Sequence, residues 1–192
     1  MCKKLTALLL IALFLLFSVY YLPDVTEQAK KQMYPVPYGD LVQTYAEEFD
    51  LDPLLVYAFI RTESSFKPDA QSSVDARGLM QITEQTFDWI KPRVGADEST
   101  VFEDLYQPEV AIRFGCYYLS RCLTRYEGDV ATAAAAYHSG WGTVDKLLAQ
   151  EAYSDDGKTL SVFPYTQMNH YVAKISRAYE KYQDLYRPEG ES

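Results

Sequence analysis

Asp52-Pro53-Leu54-Leu55-Val56-Tyr57-Ala58-Phe59-Ile60-Arg61-Thr62-Glu63-Ser64 is the stretch whose reading decides the fold. Asp52 and Pro53 make an N-cap and first-position pair: the carboxylate accepts an orphaned helix N–H, and the proline lacks a donor that the first turn would leave unpaired anyway. Apolar residues then fill nearly every position from Leu54 to Ile60, so a helix over 54–63 has no solvent face and is surrounded by protein. That helix ends by delivering one carboxylate, Glu63, out of the most apolar run of the folded part.

Working outward, helical patterning covers 38–49, 82–90, 108–126, 130–137, 143–150 and 167–186, with Gly128-Asp129 and Gly140 as punctuation. Residues 66–77 read as a loop rich in serine, aspartate and alanine, and no region sustains the period-two alternation of a strand. At 192 residues and 48% hydrophobic, the chain can fill one core but not two comfortable ones. The expectation is a mainly α single domain over 38–188, of about six to eight helices, with at most a small β-hairpin around 72–79.

Ahead of this domain, Lys3 and Lys4 precede an apolar run from Leu5 to Leu22, broken only by Thr6 and Ser18. As a helix it is about 27 Å long, nearly the thickness of a bilayer core. Positive residues before the run and none near its far end place the lysines inside and the domain outside. Tyr20 and Tyr21 stand where a signal peptidase needs small residues, which favours an uncleaved anchor over a removed signal peptide. The expected location is the cell membrane, single-pass through residues 5–22, with the domain on the extracytoplasmic side. Residues 1–22 are thus read as the anchor and 23–37, polar and proline-punctuated, as a stalk. Cys2 precedes the apolar run, the wrong place for a lipoprotein's acylated cysteine, although palmitoylation on the inner face stays open.

The whole chain carries −9, and the anchor holds two positive charges, so the remainder carries −11. Such a domain is a poor nucleic-acid binder. It is also repelled from anionic polymers beyond a Debye length of about 8–10 Å, so recognition has to come from short-range contacts in a cleft. Seventeen tyrosines suit that role, because a ring with a polar tip stacks on a sugar face and still hydrogen-bonds, although many will sit between helices. Cys116 and Cys122 lie six positions apart, about 9 Å along a helix axis and on different faces, which is outside disulfide reach. They read as buried free thiols, and with no CxxC or CxxH pattern no metal or other cofactor is expected.

Glu63 alone would read as a solvated helix-end glutamate. Two later segments change its meaning: Gly78-Leu79-Met80-Gln81 and Ala136-Tyr137-His138-Ser139-Gly140. The first offers a glycine for close backbone approach, a pliable thioether to line an apolar subsite and an amide that donates and accepts. A carboxyl at the end of a buried helix also has the environment a general acid needs, since desolvation raises its pKa.

Together these segments resemble the lytic transglycosylase family, which has a goose-lysozyme-like fold and cleaves the glycan strands of bacterial peptidoglycan. Glu63-Ser64-Ser65-Phe66 resembles the catalytic segment, 78–81 the second motif, 136–140 the third, and Tyr171-Val172 the last; Gly115 and Tyr117-Tyr118-Leu119 also fit. The resemblance implies Glu63 as acid and base, Ser64 and Gln81 positioning it or the sugar, and Gly78 supplying the close approach. It further implies Met80 and Tyr137 lining the groove and Tyr171 hydrogen-bonding near the reacting group. The family usually reads Ala-Tyr-Asn-Ala-Gly where this chain has His138 and Ser139. His138 either contacts the sugar or is satisfied by a backbone carbonyl. Gln167-Met168 replaces a usual Glu-Thr.

The implied reaction cleaves the bond between N-acetylmuramic acid and N-acetylglucosamine with one carboxylate used twice, forming a 1,6-anhydro product without water. Ordinary glycosidases need a second carboxylate about 5 Å away for retention, or about 6.5–9.5 Å for inversion. Asp69 and Asp75 are the acids close enough in sequence, and both read better as loop-turn residues. A hydrolytic muramidase on the same fold and a non-catalytic, membrane-tethered wall-binding module remain the alternatives.

Overall fold

The helix that carries Glu63 is fixed at its start by the residues that announced it. In the computed structural model, which describes residues 25–187, Asp52 Oδ1 accepts the Leu54 N–H at 2.8 Å and Pro53 takes the first position. Asp52 Oδ2 accepts the Tyr179 hydroxyl at 2.7 Å, which ties this start to the C-terminal helix. Leu55 to Ile60 are all buried, as the unbroken apolar run required. Its five large apolar residues, at about 2 kcal/mol each, represent on the order of 10 kcal/mol, comparable with a domain's whole net stability.

Two compact units divide the chain. Residues 25–35 and Arg187 belong to one, and Val36–Tyr186 form the other. In the first, 25–33 is helical and carries a Glu27–Lys31 ion pair at 2.6 Å. The second holds α1 (Gly39–Glu48), α2 (Pro53–Ser64), α3 (Glu84–Ile90), α4 (Pro108–Arg125), α5 (Val130–Ser139), α6 (Trp141–Leu148) and α7 (Thr166–Tyr186). A 3₁₀ turn, Phe102–Tyr106, precedes α4. The expected anchor at 1–22 lies outside the described residues. Among the described residues, no helix is long and apolar enough to cross a membrane.

α2 packs along α7 and against α1, while α5 fits between α4 and α7. α5 can lie so deep because Ala133 to Ala136 are fully buried and cost no side-chain space. Asp129 caps it by accepting the Thr132 N–H at 2.7 Å. The expected hairpin reduces to two isolated antiparallel bridges, Gln71 with Arg77 and Arg77 with Ile82. The segment is held instead by side chains: Arg77 pairs with Asp75 at 2.9 Å and Glu103 at 2.7 Å, and its guanidinium lies 4.1 Å from the Phe102 ring centroid. Cys116 and Cys122 are free and buried.

Candidate active site

Glu63 occupies the last turn of α2, where the helix dipole disfavours negative charge. The chain leaves that turn through Ser65 at φ 52° and Phe66 at φ 64°, two consecutive non-glycine residues in the left-handed region. Such backbone costs about 1–2 kcal/mol per residue and persists where the surroundings impose it, often beside a functional group. Phe59, one turn earlier on the same face, is fully buried, and its ring packs 6.5 Å from that of Tyr171. The Glu63 residue keeps partial exposure, yet protein crowds its carboxyl enough that desolvation raises the pKa from an ordinary 4.5 to about 7.

One group opposes that rise. The Tyr171 hydroxyl, on α7, donates to Glu63 Oε1 at 2.5 Å and lowers the Glu63 pKa part of the way back. Burial, with the Glu63 carboxyl as a smaller cause, holds the Tyr171 phenol well above 10, so it stays a donor. Among the described residues no cation or second carboxylate contributes to the titration of Glu63. Asp75 is engaged by Arg77 and by Gln71, and Asp69 is exposed.

The third motif closes the cluster. Tyr137 on α5 packs edge-on against Phe59 at 5.0 Å, and its hydroxyl donates to the Met80 carbonyl at 2.8 Å, joining the third motif to the second. His138 is exposed and stacks on the Tyr171 ring at 4.5 Å and 15°. Partial burial lowers its pKa below 6.5, so it is neutral at pH 7. It contacts the ring whose hydroxyl holds Glu63, a contact that the residue's departure from the usual asparagine did not foretell.

Four expected site residues take other posts. The Ser64 hydroxyl donates to the Ile60 carbonyl at 3.1 Å and serves the last turn of α2, not Glu63. Met80 is fully buried, so its thioether does not line a groove: it lies over Gly115, where any Cβ would strike it. Gly78, at φ 74°, permits a close approach toward the Leu105 carbonyl of the 3₁₀ turn. Gln81 Nε2 donates to the carbonyls of Ala70 at 3.1 Å and Gly78 at 3.0 Å, so it clamps the loop. The structure thus brings Glu63, Tyr171, Tyr137 and His138 together, and makes the second motif their support. Sequence reasoning missed Phe59, whose i, i+4 spacing from Glu63 was the available signal, and Arg77, which had none.

Comparison with known proteins bears on the family and the fold. The chain is 31% identical, in an alignment 165 positions long that covers 76% of it, to the membrane-bound lytic murein transglycosylase C of Actinobacillus pleuropneumoniae. It is 28% identical over 153 residues, 79% of its length, to the soluble lytic murein transglycosylase of Salmonella typhimurium. It spans 45% of the first relative's length and 24% of the second's. Among solved structures, an inactive glutamate-to-glutamine mutant of lytic transglycosylase Slt from Pseudomonas aeruginosa superposes with TM-score 0.70 at 27% identity, over 80% of this chain and 25% of that one. The 70 kDa soluble lytic transglycosylase of Escherichia coli shares the fold, with TM-score 0.74 at 23% identity over 83% of this chain and 26% of that one. Residues 40–160, well over half of the sequence, match the family model, and the chain belongs to the transglycosylase SLT domain family.

Proposed function

We propose that this protein is a peptidoglycan lytic transglycosylase that cleaves the β-1,4 bond between N-acetylmuramic acid and N-acetylglucosamine and leaves a 1,6-anhydro-muramyl end. The observation that carries the reading is Glu63 itself: a carboxyl with a pKa of about 7, one hydrogen-bond donor, and no second carboxylate acting on it. A group poised near neutral pH gives and takes a proton with comparable ease, which suits one residue acting as acid and then as base.

In the first step Glu63 transfers its proton to the glycosidic oxygen as the C1–O bond breaks. The muramyl acetamido oxygen closes on C1 to give an oxazolinium-like intermediate. Glu63, now a carboxylate with the Tyr171 hydroxyl donating to it, removes the proton of the C6 hydroxyl. O6 then displaces the acetamido oxygen from C1 and closes the anhydro ring. Atoms balance without water, and Glu63 ends protonated as it began. A hydrolase of the two-carboxylate kind would need a second carboxylate beside Glu63, and among the described residues none contributes to its titration.

Glu63→Gln should fold normally and lose at least about a hundredfold in release of glycan fragments, the usual scale for general acid catalysis. A variant that keeps more activity than this contradicts the assignment. The relative from Actinobacillus is named membrane-bound, which accords with the 5–22 run acting as an anchor that holds the domain on the extracytoplasmic side. Such a protein stays with membranes through high-salt washing, whereas release of a product beginning after about Tyr20 would indicate a cleaved signal peptide.

A further inference from the structure

Tyr171 can hold Glu63 only if α7 stands at the right height along α2. A helix rises about 1.5 Å per residue, so a slip of less than one residue would break the 2.5 Å bond between them. The apolar packing between the two helices does not set that height. Phe59 and Ile60 on α2 and Val172 and Ile175 on α7 are buried, but apolar attraction is non-directional and draws the helices together without selecting one register to a fraction of an ångström.

A directional contact does so at the other end of α2. Asp52 Oδ1 accepts the Leu54 N–H at 2.8 Å and belongs to α2, while Oδ2 accepts the Tyr179 hydroxyl of α7 at 2.7 Å. One turn on, the Tyr182 ring packs 5.6 Å from Tyr57, which seats this end of α7. Tyr179 lies about 12 Å along α7 from Tyr171, and Glu63 about 16 Å along α2 from Asp52. The helices run antiparallel, and two tyrosine hydroxyls of α7 grip the two ends of α2, one on the cap carboxylate and the other on the candidate catalytic one.

We propose that Asp52 and Tyr179 are a positioning pair, which sets the register of α7 on α2 and thereby holds the Tyr171 hydroxyl on Glu63. As a role in catalysis this rests on the transglycosylase reading above. Neither residue touches the reacting group, so the pair acts through Tyr171. The sign of its effect separates it from plain electrostatics. A carboxylate about 16 Å away, beyond a Debye length of about 8 Å, repels charge on Glu63 only weakly, and removing it would lower the Glu63 pKa. Releasing the tie raises that pKa, because the Tyr171 bond that lowers it slackens. Among the described residues, the titratable groups facing Glu63 are Tyr171 and Tyr137, with His138 on the Tyr171 ring. The variants below alter none of them.

The full-length chain, solubilised in a zwitterionic detergent and labelled with carbon-13 at its glutamate carboxyls, is titrated by NMR, with Glu63→Gln identifying the Glu63 signal. Tyr179→Phe should weaken Glu63 as an acid about threefold, moving its midpoint upward in the same direction as Tyr171→Phe but by less. Asp52→Ser keeps a capping hydroxyl but is too short to reach Tyr179. It should give the same shift, and combining it with Tyr179→Phe should add nothing. Asp52→Asn keeps both contacts, its oxygen on the cap and its amide donating to the Tyr179 hydroxyl, and should leave the native midpoint. A Tyr179→Phe protein that melts earlier while Glu63 titrates as in the wild type makes the bond merely structural and overturns the proposal, as does a downward shift. The two readings fail separately, because the titration needs no turnover. A native chain that releases no glycan fragments refutes the transglycosylase whatever the titration shows, whereas normal release with an unmoved Glu63 refutes only the positioning pair.

Discussion

Replacing Glu63 by glutamine keeps the shape of the side chain and an acceptor for the Tyr171 hydroxyl, but removes the proton equilibrium, so it isolates the cost of burying that carboxyl. Below pH 4.5 the glutamate is protonated in both folded and unfolded chains and carries no penalty. As pH rises from 4.5 to about 7 the unfolded chain ionises while the folded site resists, and folding stability is lost; above about 7 the loss is complete. At about 1.36 kcal/mol per pH unit, that interval corresponds to ~3 kcal/mol. Glu63→Gln should therefore match the wild type near pH 4 and exceed it progressively up to about pH 7.5, where the advantage levels off. Thermal melting of the two proteins, followed by circular dichroism across this range, measures the gap, expected to reach several degrees. A gap that does not change with pH, or that narrows as pH rises, would refute the claim that Glu63 is held protonated by desolvation.

Tyr171→Phe removes the hydrogen bond that lowers the Glu63 pKa, so the alkaline limb of the activity profile should move to higher pH, with a rate loss of about 10- to 100-fold from the missing charge-assisted bond. An unmoved limb in the pH dependence of kcat/KM would show that this contact does not set the acid. Burial holds the His138 pKa below its ordinary value, and its protonation on the acid side places a cation against the Tyr171 ring, so the wild type should lose activity there more steeply than His138→Asn. Superimposable profiles would make His138 purely structural.

What the sequence revealed and what it concealed divide along physical lines. Asp52-Pro53 and the apolar run of α2 were legible because capping and periodicity are local, and the cap is found where those residues placed it. Glu63 with Tyr171 was reached through the family motifs, because nothing local says that residues 108 positions apart will meet. The roles of Ser64, Met80 and Gln81 depended on which way each side chain turns. Tertiary space decided that: Gly115 leaves a slot that Met80 fills, and the loop carbonyls of Ala70 and Gly78 capture Gln81. The 3₁₀ turn at Phe102–Tyr106 is too short to show a period, and its meaning comes from Arg77 and Gly78 packing on it. The Asp52–Tyr179 bond joins residues 127 positions apart that no motif connects.

The central claim is that one carboxylate cleaves the strand without water. Mass spectrometry of the fragments released from purified peptidoglycan in heavy-oxygen water tests it most directly. The account predicts muramyl ends that are lighter by one water than reducing ends and carry no heavy oxygen. Reducing ends labelled with heavy oxygen would contradict it and make the protein a hydrolase on the same fold.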